Sequence, residues 1–329
     1  MFRAVMKWKE KKMKIETLKE LAKKLSEVKS AVILTHKNPD GDTTGAGLGL
    51  CYFLREIGVK ANVKNSDGFP SLYRYIAGEY KDLDFEPETV ISVDVADTKL
   101  LGTPLEGEYK DKIDLCIDHH FSNKMFARYS YVDGDCCATC LIIFEVIKLL
   151  KGRITPLIAD CLYTGIATDT GCFMYEGTSP MAHRAAAELI EAGAHAASIN
   201  REMFQIKSRG RILGEQRLIS TMRFAKDDKI ALITITNDII DEFKIDRAEL
   251  DGFAGIPLTV EGVKIGITLK QQAEDPGVFK ASIRTVEADA AQIAAKFGGG
   301  GHIRAAGCSL RGSADEVAAA VIKAASAFV

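Results

Sequence analysis

Four short strand-like runs, Ala31 to Thr35, Lys60 to Lys64, Thr89 to Val93 and Ile113 to Ile117, alternate with longer segments whose hydrophobic residues recur at three and four positions. Short runs of that kind read as strands and the longer period as helices. Strands alternating with helices are joined by crossovers, so the expected fold is α/β, with a mainly parallel sheet flanked by helices. Three of the runs stop on a titratable side chain: His36 follows the first, Asp94 the third and Asp118 the fourth. In an open parallel sheet those ends share one edge, which is where ligands sit.

Before the first strand, Ile15, Leu18, Leu21, Ala22, Leu25 and Val28 carry the period of an amphipathic helix that should pack on a sheet edge. Residues 1–14 mix lysine and apolar side chains without a helical period. They are expected to be a disordered basic extension, with Met13 a candidate natural start. Pro39 and Gly41 make His36 to Asp42 a loop, after which Thr43 or Thr44 should cap a helix running to about Ile57. In that helix Gly45, Gly47 and Gly49 have G-x-G-x-G spacing and start about ten residues past the strand, which is wrong for a dinucleotide fingerprint. They are expected to let the helix lie close to the sheet.

Cys136, Cys137 and Cys140 open an apolar helix to Leu150. Cys137 and Cys140 form a C-x-x-C, but no second ligand pair is legible, so core packing is expected rather than zinc. Pro156 starts a helix over Leu157 to Ile166 that delivers Thr168, Asp169 and Thr170, followed by Phe173 and Tyr175. Alone, Asp169 reads more readily as a turn cap than as a ligand. Helices continue over Ala182 to Ala192 and Ala196 to Phe204. A catalytic domain is therefore expected over residues 15–205 and a linker, marked by the charged Lys207 to Arg211, over 206–222.

Residues 223–329 read as a second, smaller α/β domain, with strands Ile230 to Thr236, Val263 to Leu269 and Val278 to Arg284. A helix from Ala288 to Phe297 precedes the run Gly298, Gly299, Gly300, Gly301 and His302, and an alanine-rich helix ends the chain. A glycine run before a helix can present backbone N–H groups to an anion, and it can also be a plain hinge.

A formal net charge of −2 excludes the broad basic field that holds duplex nucleic acid, so any anionic substrate must be held by local contacts. Eight cysteines, mostly within apolar runs, read as reduced thiols and point to the cytoplasm. No stretch reaches the roughly 18 apolar residues of a membrane span.

The candidate ligands are His36, Asp40, Asp42, Asp94, His119 and Asp169, to which Asp118 and His120 are adjacent. Oxygen-rich sets with imidazole and no thiolate suit manganese or magnesium better than structural zinc. Four carboxylates exceed what one ion needs. Two ions about 3.5–4 Å apart, sharing a bridging carboxylate, activate water for phosphoryl hydrolysis.

These motifs, in this order, are similar to those of the DHH/DHHA1 phosphoesterases: His36, Pro39, Asp40 and Asp42, then Asp94, then Asp118-His119-His120, then Asp169, then the glycine run with His302. The likeness spans the chain from about Ala31 onward. The short two-domain form, with residues 168–180, resembles the branch that hydrolyses short oligoribonucleotides to mononucleotides and pAp to AMP. The resemblance implies two Mn²⁺ ions, or Mg²⁺ or another divalent cation in their place. One would sit on His36, Asp40 and Asp94 and the other on Asp42, Asp94, His119 and Asp169.

It further implies that Asp118 orients its neighbouring histidines and that His120 serves the scissile phosphate. Arg284, Gly298 to Gly301 and His302 would hold the rest of the substrate, in a catalytic cleft between the domains. Arg304 has no expected role. Implied partners are short single-stranded RNA and pAp, without duplex DNA or membrane, and a homodimer is left open. The family also contains RecJ-like single-strand DNA exonucleases, which carry an additional OB-type domain, and cyclic-dinucleotide phosphodiesterases with sensor domains and membrane spans; this chain shows neither addition. The non-enzymatic alternative is a metal-dependent nucleotide-binding regulator.

Overall fold

The computed structural model describes residues 12–329, which divide into two compact units meeting at Ile206 and Lys207. The expected basic extension lies outside the described residues up to position 11.

The first unit is a six-stranded sheet of β1 (Met13–Lys14), β2 (Ser30–Leu34), β3 (Lys60–Lys64), β4 (Thr89–Val93), β5 (Leu115–Asp118) and β6 (Tyr129–Val132). The strand order is β1-β6-β5-β4-β2-β3 and every pairing is parallel. Its helices are α1 (Leu18–Ser26), α2 (Gly41–Glu56), α3 (Arg74–Ala77), α4 (Thr103–Tyr109), α5 (Thr139–Leu149), α6 (Pro156–Asp169), α7 (Pro180–Glu191) and α8 (Ala196–Asn200). The strands alternate faces as a pleat requires. Ile33, Ile91, Val93 and Ile117 pack with α2, α5 and α6, while Val32, Leu34, Val90 and Cys116 pack with Leu101, Leu105 and Tyr109 on the opposite side. Phe53 and Phe144 are 1% exposed in the larger of these cores. Truncating either to alanine would cost about 3–5 kcal/mol.

Three expectations change here. Met13 and Lys14 belong to the sheet, because Met13 N donates to the Arg128 carbonyl at 2.9 Å and Ile15 N to that of Ser130 at 2.8 Å. The helix after β2 starts earlier than Thr43: Asp40 is its N-cap, accepting from Thr43 N at 3.0 Å, so Asp42 lies in the first helical turn. Gly45 and Gly49 face α6 rather than the sheet. A Cβ at Gly45 would strike the Cys161 carbonyl, whereas Gly47 is the residue that faces Thr35 and Val63.

The second unit holds α9 (Arg209–Ser220), β7 (Arg223–Ala225), β8 (Ile230–Ile235), α10 (Asn237–Phe243), β9 (Ile265–Gln271), β10 (Val278–Thr285), α11 (Ala290–Ala295), β11 (Gly300–His302), β12 (Ala305–Arg311) and α12 (Ala314–Ala325). Its sheet runs β11-β12-β10-β9-β8-β7, with β8 and β9 parallel and the remaining pairs antiparallel. The segment expected as a linker is largely helix. Ser208 caps α9, and Leu218 packs with Ile233, Ile240 and Phe253.

The glycine run does not precede a helix. It follows α11 and enters β11, which pairs with β12, so no helix N-terminus presents amides there. The run is glycine because two backbones approach closely: a Cβ at Gly299 would strike the Gly307 carbonyl, and Gly301 has φ 147° against Ala306. Among the described residues no helix is long and apolar enough to cross a membrane.

Candidate metal centre

The ends of β2, β4 and β5 are neighbours in the sheet, which brings His36, Asp94 and Asp118-His119-His120 to one edge. The first turn of α2 adds Asp40 and Asp42, and the last residue of α6 adds Asp169. Small residues let these helices meet. A Cβ at Gly165 would lie 2.6 Å from Asp42 Oδ1, and one at Gly41 would strike the Thr168 side chain.

Ligand atoms of His36, Asp40 and Asp94 lie within 4.8 Å of one another, as do those of Asp42, His119 and Asp169. His36 Nε2 is 3.6 Å from Asp40 Oδ2 and 3.6 Å from Asp94 Oδ2. His119 Nε2 is 3.3 Å from Asp169 Oδ2, 3.5 Å from Asp94 Oδ1 and 3.9 Å from Asp42 Oδ2. Asp94 thus turns one oxygen to each group. It does so from the left-handed region, φ 58°, while its amide donates to the Ile117 carbonyl at 2.9 Å and extends the β4–β5 ladder.

The two ligand-type histidines are fixed through their other nitrogen. Nδ1 of His119 is 3.1 Å from the Cys136 carbonyl and Nδ1 of His36 is 2.8 Å from the Lys37 carbonyl. A carbonyl only accepts, so Nδ1 carries a proton in each ring, and Nε2 is the nitrogen turned to the carboxylates, the one a metal would take. Asp94, His119 and His120 form a third close group. There Nδ1 of His120 is committed to Asp118 Oδ1 at 2.8 Å, and its Nε2 has no hydrogen-bond partner among the described residues. Asp118, wholly buried, also accepts from the amides of His119 and His120 and from Asn123 Nδ2 at 2.6 Å.

Asp42 is fully buried and accepts from the amides of Thr139 and Cys140 at the start of α5, at 2.6 and 2.9 Å. Burial first, then the charge of Asp94, pushes its carboxyl well above the usual range. Burial and the charges of Asp42 and Asp94 do the same to Asp169. Asp40, although burial opposes its ionisation, is held below the usual range by His36. Burial also opposes a charged His36, yet Asp40 and Asp94 carry it up to about 10. The Asp118 bond raises His120 to about 9. Buried acids held close to one another with neutral amide donors are what a multivalent cation relieves, so the donor set fits divalent metal.

No sequence pattern pointed to Asn123, to the Cys136 carbonyl or to Thr139, whose Oγ1 donates to Asp94 Oδ1 at 3.0 Å. In the second unit Arg284, Ala305 and His302 lie in one row across β10, β12 and β11, which puts the Arg284 and His302 side chains on one face. The next row on that face is Ser282, Gly307 and Gly300, largely without side chains. Arg304 donates to the Ala288 carbonyl at 3.2 Å, a local structural bond.

Comparison with known proteins identifies the family. The DHH family N-terminal domain matches residues 30–166 and the DHHA1 domain residues 227–329. The chain is 34% identical to the bifunctional oligoribonuclease and PAP phosphatase NrnA of Thermus thermophilus, over 90% of this chain and 89% of that one. It is 23% identical to the protein so named from Bacillus subtilis, over 88% and 92%. The crystal structure of an exopolyphosphatase-related protein from Bacteroides fragilis superposes with TM-score 0.84 at 26% identity, covering 94% of this chain and 95% of the other. With its motifs, both domains and nearly full-length relatives in agreement, the chain belongs to the DHH/DHHA1 phosphoesterases of the NrnA type and is a phosphoric ester hydrolase.

Proposed function

We propose that the enzyme hydrolyses short oligoribonucleotides, linear dinucleotides included, to mononucleotides, and pAp to AMP, with a pair of Mn²⁺ ions. The observation that carries this reading is Asp94, whose two oxygens face two separate ligand groups. His36, Asp40 and Asp94 would hold one cation, and Asp42, Asp94, His119 and Asp169 the other. Bound there, the cations supply Lewis acidity at the phosphate and a lower pKa for water.

The chain's own residues do the rest. His120, kept protonated by Asp118, offers its free Nε2–H to the leaving oxygen. Asp118 and Asn123 keep that ring from turning. Arg284, His302 and the open glycine row in the second unit bind the far phosphate or sugar, and Gly298 and Gly299 help wall a hollow of about 320 Å³ beside that row. With all eight cysteines free, the reducing cytoplasm is the compartment we assign.

The test is to incubate the chain with Mn²⁺ or Mg²⁺ and RNAs of two to ten nucleotides, beside pAp. Mononucleotides from the shortest RNAs and AMP from pAp, strongest with Mn²⁺, are expected. Arg284→Ala and His302→Ala should raise KM on a dinucleotide more than they lower kcat. Hydrolysis of long single-stranded DNA in preference to all of these would replace this reading with an exonuclease.

A further inference from the structure

Two large aromatic side chains beside the ligand-bearing segments lie in the open. Phe121, next to His120, is 83% exposed, and Tyr175, a short turn beyond Asp169, is 62% exposed. A single exposed ring is ordinary. These two are seated: the Phe121 ring lies across Gly134, where an added Cβ would stand 2.7 Å from Cδ1 and Cε1, and the Tyr175 ring lies across Gly171 in the same way.

The turn that carries Tyr175 is strained. Gly171, Cys172 and Phe173 follow one another at φ 56°, 56° and 65°. Side chains other than glycine enter that region rarely, and such a run persists only where its surroundings over-determine it. Thr170 is the anchor: its Oγ1 accepts from Phe173 N at 3.1 Å and its carbonyl from Tyr175 N at 3.0 Å. Phe173 is drawn inward against Tyr163 and stacks on His183, with ring centres 6.0 and 5.3 Å apart. The same turn that half-buries Phe173 turns Tyr175 out.

His119 belongs to the ligand groups of both His120 and Asp169. One open ring therefore follows the histidine side of the cluster and the other follows the Asp169 side. A dinucleotide has the matching layout, one phosphodiester between two flat bases. We propose that Phe121 and Tyr175 are stacking platforms for the bases that flank the scissile phosphate, which makes them positioning residues for the hydrolysis. This rests on the oligonucleotide reading above. Every base has a π-face, so such platforms favour nucleotides over plain phosphate esters without choosing a sequence.

The experiment uses the full chain and a diadenosine dinucleotide, with a phosphorothioate analogue carrying 2-aminopurine, whose fluorescence falls on stacking. Binding should quench the wild type. Phe121→Leu and Tyr175→Leu, which keep apolar bulk but lose the flat face, should each lose much of the quench and raise KM about tenfold or more, with kcat little changed. Tyr175→Phe should behave as wild type. The same dinucleotide without bases should show one KM in all variants. Unquenched wild type, an unchanged KM on the base-bearing dinucleotide, or an equal rise on the base-free one would overturn the proposal. So would a changed oligomeric state at unchanged KM, which would make the rings a contact between copies. Failure of the wild type to cleave any dinucleotide strikes the oligonucleotide reading instead, and the quench reads stacking apart from cleavage.

Discussion

His120 Nδ1 lies 2.8 Å from Asp118 Oδ1, while the ring before it in the chain, His119, turns its Nδ1 to the Cys136 carbonyl. Adjacent in sequence, the two imidazoles have different jobs. His120→Ala should leave metal content nearly intact and lower kcat by about 10²-fold or more, the range of a positioned proton donor. His119→Ala should lose metal. Metal analysis of both purified variants beside their kinetics checks this, and equal metal loss in the two would refute it.

Asp94 and Asp97 are a second contrasting pair. Asp94 faces both ligand groups, whereas Asp97 caps a short 3-10 turn by accepting from Lys99 N at 3.1 Å. Asp94→Asn should abolish Mn²⁺-dependent turnover. Asp97→Asn should retain most of it, at a stability cost of about 1 kcal/mol or less, since asparagine caps nearly as well. Near-normal turnover of a folded Asp94→Asn protein at saturating Mn²⁺ would exclude a shared ligand.

Metal-free protein should lose stability as pH rises. Asp42 and Asp169 have folded pKa values above their unfolded ones, so above about pH 4 the unfolded chain releases protons that the folded chain still holds, and unfolding is favoured. His36 and His120, raised to about 10 and 9, act in the same direction. Their stabilisation is complete below about 6.5 and is lost as pH climbs through those values. Asp40, with a lowered pKa, matters only on the acid side of about pH 4. The Tm of chelator-treated protein should therefore fall from pH 5 to pH 9, less steeply in Asp42→Asn, and added Mn²⁺ should raise Tm more at the alkaline end. A flat wild-type profile would show that the cluster is not strained without metal.

The contact of α2 with α6 can be tested through glycine. A Cβ at Gly45 would run into the Cys161 carbonyl, while Gly107 in α4 has nothing within 4 Å. Gly45→Ala should cost about 1–3 kcal/mol by overpacking, and should weaken metal binding because Asp42 rides in the same helix. Gly107→Ala should be neutral or slightly stabilising. Denaturant unfolding of both variants compares them directly.

Legibility followed the range of the interactions. The short apolar runs that hold Ile33 and Ile91, the helical period of Leu21 and Leu25 and the strand ends at Asp94 and Asp118 are local patterns, and they stand where the residues predict. Strand β6 was missed because Tyr129 to Val132 is short and follows no apolar run. Strand β12 was missed because Gly307 and Ser309 break its pattern. The glycine run read as a helix approach because nothing near it in sequence announces its pairing with Ala305 to Gly307.

What the sequence determined by itself is therefore the parallel α/β frame, the acids and imidazoles at its edge and the family they belong to, because hydrophobic period and residue chemistry are properties of neighbours along the chain. Only the tertiary structure decided that Asp40 rather than Thr43 caps α2, that the α5 amides hold Asp42, that the Cys136 carbonyl orients His119 and that Phe121 and Tyr175 stand open. The first three depend on which backbone groups pass within about 3 Å of a side chain, and the last on which segments come to lie beside each ring; a contact that short-ranged leaves no period in the sequence.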